Sequence, residues 1–295
     1  MKKQFLYQNK KTRYRITGNG KPVVFIHGFG EDGDVWKNQV EFLKDKFKLI
    51  IPDLPGSGQS EMIDDMSMEG MADVIHAIIR EEKLEACPII GHSMGGYITL
   101  AIADKYPGDI TAFGLFHSSA YADSEEKKAV RLKGIDFIRQ HGAFEFLKTA
   151  IPNLFSQQTK DEQPELIAEQ VAASNNFSRE ALVSYYEAMM KRPDRTEMLQ
   201  KAAVQVLFIM GKYDMAIPLT DGLEQCQLPE KSYIHILQKS GHMGMLEEAD
   251  ASNRILEKFL LEILKLFYYQ SSNETLFTFH SNFYTRISPF PGRTY

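Results

Sequence analysis

Two textures alternate along this chain. Short, nearly continuous apolar runs such as "PVVFIHG", "FKLIIPD" and "ITAFGLFHS" are separated by stretches with a helical recurrence of apolar positions. In "MEGMADVIHAIIREEKL", Met71, Val74, Ile75, Ile78 and Ile79 share one helical face, and "DVWKNQVEFLKD" has the same period. Cys87 to Ile90 read as a short buried strand. Tyr97 to Tyr106 read as a helix carrying Ile98, Ala101, Ile102 and Lys105 at helical spacing. Strands apolar on both faces, alternating with helices, predict an α/β fold with a mostly parallel central sheet and helices on both faces.

The rhythm changes after about Ala120. As far as Met198 no strand-like run appears, and "KKAVRLKGIDFIRQ", "GAFEFLKTAI", "PELIAEQVAAS" and "SREALVSYYEAMM" all carry helical periodicity. Strands and helices then resume with "AVQVLFIMG", "PLTDGLEQC", "KSYIHILQ" and a long helix from about Gly244 to Leu266. The pattern predicts a core over 1–119 and 200–266, a helical insertion over 120–199, and an aromatic-rich tail over 267–295. In the tail, "TLFTFHSNFYTRI" fits a hairpin across His280-Ser281-Asn282, and the tail as a whole reads as a loosely packed or disordered appendage sooner than as an oligomerising or lid-covering arm.

Ligands of open parallel sheets bind beyond the carboxyl ends of the strands. The first apolar strand is followed by His27-Gly28-Phe29-Gly30, the next by "PDLPGSGQS", and "PII" by Gly91-His92-Ser93-Met94-Gly95-Gly96. "VLFIM" is followed by Gly211-Lys212-Tyr213-Asp214, and "YIHIL" by "QKSGHMG", which carries His242. G-x-S-x-G by itself is satisfied by an ordinary glycine-rich turn. A serine, an aspartate and a histidine each placed just past a strand carry more weight. A serine hydroxyl is a poor nucleophile at neutral pH and needs a base within reach, and the base needs a carboxylate to hold its tautomer.

On "HGFG", "DLPGSGQS", "GHSMGG", "GKYD" and "GHM", the chain resembles the α/β-hydrolase superfamily of Ser-His-Asp enzymes over roughly Tyr14 to Leu266. The resemblance implies Ser93 as nucleophile, His242 as general base, Asp214 as orienting acid and the 120–199 insertion as a cap. Met94 is expected to donate one backbone N–H to the oxyanion, and the resemblance implies Phe29 for the second. Asp123 is the rival acid; otherwise it reads as a loop residue at the mouth of the cap. Asp53 reads as a turn residue. His27 and His92 read as loop-fixing residues, and His117 as a core or pocket-wall histidine. His76, His141, His235 and His280 show no partner pattern. Within the insertion Phe144, Phe146, Leu147, Phe155, Tyr185, Tyr186, Met189 and Met190 pack together or face the nucleophile, suggesting an apolar pocket.

Composition narrows the reading. With 295 residues and a net charge of −5 there is room for one large domain and no broad basic footprint for nucleic acid. Two cysteines, Cys87 and Cys226, suggest neither a disulfide framework nor a metal site. Lysines near the N-terminus are followed by no apolar signal segment, and "FLLEILKLF" is interrupted by Glu262 and Lys265. The expectation is a cytoplasmic, cofactor-free and metal-free serine hydrolase with no membrane span, acting on a small to medium carboxylic ester. Thioesters, lactones and C–C bonds of diketones suit the same residues. A ligand-binding or scaffold protein of the same fold is the non-enzymatic alternative. Oligomeric state is open.

Overall fold

The computed structural model describes residues 1–281, with side chains described as far as Leu266. Strands β1 (Lys2–Tyr7), β2 (Lys10–Thr17), β3 (Lys21–Ile26), β4 (Phe47–Pro52), β5 (Cys87–His92), β6 (Ile110–Phe116), β7 (Gln205–Gly211) and β8 (Ser232–Leu237) form one sheet in the order β1-β2-β4-β3-β5-β6-β7-β8. From β4 onward every neighbouring pair is parallel, while β1–β2 and β2–β4 are antiparallel. The central strands are buried along nearly their whole length, as a sheet covered on both faces requires.

Helices α1 (Lys37–Leu43), α2 (Met68–Glu81) and α3 (Met94–Lys105) connect the first parallel strands. In α2 the expected apolar stripe is buried, Ser67 caps the start by accepting from the Gly70 N–H, and the helix ends near Arg80. Between β6 and β7 lie α4 (Glu125–His141), α5 (Ala143–Ala150), α6 (Gln157–Glu162), α7 (Pro164–Ala173), α8 (Arg179–Lys191) and α9 (Thr196–Gln200), with no strand among them. After β7 come α10 (Leu219–Gln225), α11 (Gly244–Glu247) and α12 (Ala249–Ser281).

Three local differences separate sequence and structure. Strand β1 was not expected. It joins β2 through Gln8 and Asn9, both at positive φ (49° and 63°), a two-residue hairpin turn in which glutamine is not the residue that signals it. The helix expected from Gly244 is broken at Glu248 into α11 and α12. Finally, α12 continues without a break past Leu266 to Ser281, so the first part of the segment that fits a hairpin, 275–281, has a helical backbone; the rest of the tail lies outside the described residues. Among the described residues no helix is long and apolar enough to cross a membrane.

Candidate active site

Ser93 is the single residue between β5 and α3, and its backbone stands at φ 51°, ψ −116°. A residue with a Cβ is strained there, so the surroundings must enforce the turn. They do so by close approach. A Cβ at Gly91 would stand 2.3 Å from the Gly95 carbonyl oxygen, and one at Gly95 2.4 Å from that of Ile26. The elbow is pinned further by the Ser93 N–H donating to the Phe116 carbonyl (3.0 Å) and by the Ser118 hydroxyl donating to the Ser93 carbonyl (2.8 Å). The result is a half-buried hydroxyl at the mouth of a helix N-terminus.

Two further strand ends bring their side chains to that hydroxyl. Ser93 Oγ lies 2.9 Å from His242 Nε2, and His242 Nδ1 lies 2.8 Å from Asp214 Oδ2. The other carboxylate oxygen of Asp214 accepts from the Ala216 and Ile217 N–H groups, each at 2.9 Å. Burial alone would favour a neutral Asp214. The His242 imidazole and a second imidazole, that of His117, outweigh it and hold the carboxyl well below the usual range. Burial likewise opposes a charged His242, but Asp214, with Glu31 and Glu247 further off, lifts its pKa above the ordinary histidine value. The His242 N–H donates to Leu154 O at 2.6 Å, and Glu247 Oε1 accepts from both flanking N–H groups, Gly241 (2.8 Å) and Met243 (3.1 Å). The helical segment after β6 thus touches the histidine loop directly.

Met94 is the first residue of α3, where helix N–H groups have no acceptor inside the helix. Phe29 follows Gly28, where a Cβ would stand 3.2 Å from Ser93 Cβ. The loop carrying Phe29 is fixed from below. His27 Nδ1 bonds the Gly28 carbonyl (2.9 Å) while its Nε2 accepts from the Leu54 N–H (3.0 Å). His92 bonds Glu31 through Nδ1 (2.9 Å) and the His242 carbonyl through Nε2 (3.0 Å). From above, the Phe29 ring stacks on Tyr186 at 4.4 Å and meets Phe146 and Tyr185 edge-on.

Asp123 does not join this cluster. Its carboxylate is buried between Arg131 Nε (2.5 Å) and Arg192 Nη1 (2.8 Å), and Arg192 sits 3.9 Å above the Tyr97 ring. It does lie in the loop before α4, as expected, but as a buried ion-pair centre and not as a residue lining a mouth. Asp53 accepts from the Gly33 and Gln59 N–H groups, as a turn residue does. His76, which showed no partner in the sequence, bonds Asp109 and stacks on Tyr106. His117 is buried and hydrogen-bonded, as the core reading expects, and the partner of its Nδ1 is Asp214. No motif announces that contact, and the available signal was that β6 and β7, the strands preceding these two residues, are neighbours. Nδ1 or Nε2 of His117 and His242 and a carboxylate oxygen of Asp214 lie within 4.8 Å of one another. Their mutual N–H···O bonds account for the cluster without a metal.

A family model described as alpha/beta hydrolase fold matches residues 21–129. A thermophilic esterase from Thermogutta terrifontis, solved with malate bound, has the same architecture: TM-score 0.83, 26% identity, 89% of this chain and 99% of that one covered. The chain belongs to the α/β-hydrolase superfamily. This hydrolase is also 26% identical to 2-hydroxy-6-oxononadienedioate/2-hydroxy-6-oxononatrienedioate hydrolase 1 of Pseudomonas putida, over 84% of this chain and 90% of that protein. It is equally similar, at 26%, to the dihydrolipoyllysine-residue acetyltransferase component of the acetoin cleaving system of Cupriavidus necator, over 85% of this chain and 66% of that protein.

Proposed function

We propose that this hydrolase cleaves a small to medium carboxylic ester through an acyl-enzyme on Ser93. The observation that carries the reading is the relay of 2.9 Å and 2.8 Å from Ser93 Oγ through His242 to Asp214. Ser93 Oγ attacks the ester carbonyl as its proton passes to His242 Nε2. The negative charge that builds on the carbonyl oxygen is met by the N–H groups of Phe29 and Met94 at the start of α3. His242 then gives its proton to the departing alcohol, and a water activated by the same imidazole releases the acid. Asp214 keeps the Nδ1–H tautomer in place and stabilises the imidazolium.

In this reading residues 1–119 and 200–266 are the catalytic core and 120–199 the cap, with 267–295 an appendage to it. Phe146, Tyr185 and Tyr186, packed on Phe29, make the cap's underside apolar, which favours an apolar acyl or alcohol group. The test is a panel of p-nitrophenyl esters of increasing acyl length, run beside thioesters, lactones and a vinylogous diketone acid, with Ser93→Ala as control. Turnover of esters that rises and then falls with acyl length, absent in Ser93→Ala, supports the reading. Preference for a lactone, a thioester or C–C cleavage would reassign the substrate class while leaving Ser93 in place.

A further inference from the structure

Asp214 Oδ2 receives two imidazoles. His242 Nδ1 approaches it at 2.8 Å and His117 Nδ1 at 3.1 Å. In the proposed mechanism only the first takes part, which leaves a fully buried histidine without a role. Its surroundings are specific. Nε2 of His117 accepts from the Gly244 N–H at 3.2 Å, and that bond leaves the proton on Nδ1, facing Asp214. The ring lies in a slot made by two glycines: a Cβ at Gly244 would stand 2.4 Å from Nε2, and one at Gly211 2.8 Å from Cε1. The His117 backbone is held at φ 49°, a strained conformation for histidine, while its N–H donates to Ile209 O at 2.8 Å. Burial pushes the imidazole pKa down to about 4 despite Asp214, so at neutral pH it gives an N–H to the carboxylate without adding a charge.

We propose that His117 is a positioning residue: its N–H bond to Asp214 Oδ2 divides the carboxylate's hold between two imidazoles and so tempers the basicity of His242. The proposal rests on the reading of Ser93, His242 and Asp214 as a catalytic relay. A carboxylate oxygen that already accepts one hydrogen bond attracts a second proton less strongly. Without His117, Asp214 pulls harder on the His242 proton, the imidazole titrates at higher pH, and less of it is the free base that serine needs. His117 also occupies the lone pair that would otherwise let the carboxylate turn away from His242. The other groups facing the pair are His92, whose ring centroid is 4.9 Å from that of His242, with Glu31 bonded to His92 and Glu247 on the histidine loop. Of these, His92 also meets the His117 ring edge-on, at 6.1 Å.

Two substitutions isolate the bond. His117→Asn places an amide nitrogen where Nδ1 stands and tolerates positive φ. His117→Phe fills the slot but donates nothing. Both lose the acceptor for the Gly244 N–H, so their difference reports the N–H given to Asp214. The readout is the acid limb of kcat/KM for p-nitrophenyl acetate, checked by the pH dependence of fluorophosphonate inactivation. The expected result is a limb displaced to higher pH in His117→Phe by roughly half a unit or more, and little displaced in His117→Asn. Equal losses of activity in both variants with the limb unmoved would overturn the proposal and leave His117 a packing residue. Should His117→Phe not fold, nitrogen-15 histidine spectra of the unsubstituted protein decide. His117 as a neutral Nδ1–H tautomer from pH 5 to pH 8 is expected; an Nε2–H tautomer or an imidazolium in that range contradicts it. Failure of the relay itself would show separately, as activity retained by Ser93→Ala.

Discussion

Asp214 and Asp123 follow neighbouring strands, β7 and β6. Both are buried, and in both burial is outweighed by cationic or donor partners, so each carboxyl is held below the usual range. Burial and ionisation therefore do not tell them apart; their partners do. Asp214 faces two imidazoles and two backbone N–H groups. Asp123 faces Arg131 on α4 and Arg192 just after α8. A guanidinium stays charged at every accessible pH, so its carboxylate is a fastener. An imidazole titrates near neutrality, so the same buried charge becomes a control on a proton. Arg192 extends the fastening by donating to the Met189 and Tyr121 carbonyls, tying the two ends of the helical segment together.

Substitutions that remove the charge but keep the size should separate the two carboxylates. Asp214→Asn is expected to lower kcat by up to about 10⁴, with KM little changed, because asparagine favours the wrong tautomer of the base. Asp123→Asn is expected to leave the kcat of folded protein within a few-fold. It should cost roughly 3–5 kcal/mol in urea unfolding, since the buried guanidinium of Arg192 and the half-buried one of Arg131 lose their counter-charge. If Asp123→Asn is inactive yet as stable as the parent, the comparison is inverted.

pH sharpens the contrast next. The folded pKa of His117 lies below its unfolded value, so its contribution is complete above about pH 6.5 and is lost as pH falls towards 4. The full span amounts to about 3 kcal/mol. His117→Asn should flatten the fall of the melting temperature between these limits. His242 acts with the opposite sign on stability: its raised pKa contributes below its unfolded value and is lost as pH rises through the folded one. For activity, the neutral base is required, so kcat/KM should rise through an apparent pKa above the ordinary histidine value. The smallest effect is expected of Arg131→Lys. It keeps the charge beside Asp123 but loses the fork that reaches both carboxylate oxygens, a change of about 1–2 kcal/mol in unfolding with kcat unmoved.

How much of this was legible in the sequence follows the same division. The elbow was legible because its chemistry is local: Ser93 needs glycines at 91 and 95 where the chain turns back on itself, and both stand in the sequence. Asp214 and His242 were legible because the carboxyl ends of parallel strands share one edge of the sheet. The preference for Asp214 over Asp123 as the residue near the histidine agrees with the distances. What gives Asp123 its place was hidden, because Arg131 and Arg192 reach it from helices whose mutual packing no periodicity reveals. His117 was hidden for a related reason, since its partner comes from the neighbouring strand. Strand β1 escaped notice because "KKQFLY" alternates only weakly and its turn lacks glycine, and the extension of α12 because the sequence carries no Gly or Pro from 267 to 281 to favour a helix end or mark one.

The most direct measurement is site-resolved labelling with a fluorophosphonate, read by mass spectrometry on the folded protein. One covalent adduct on the peptide containing Ser93 is expected, forming faster as pH rises through the titration of His242 and abolished in Ser93→Ala. It should be strongly slowed in Asp214→Asn and nearly unchanged in Asp123→Asn. An adduct on another residue, or no adduct on protein that circular dichroism shows to be folded, would contradict the assignment of Ser93 as the nucleophile.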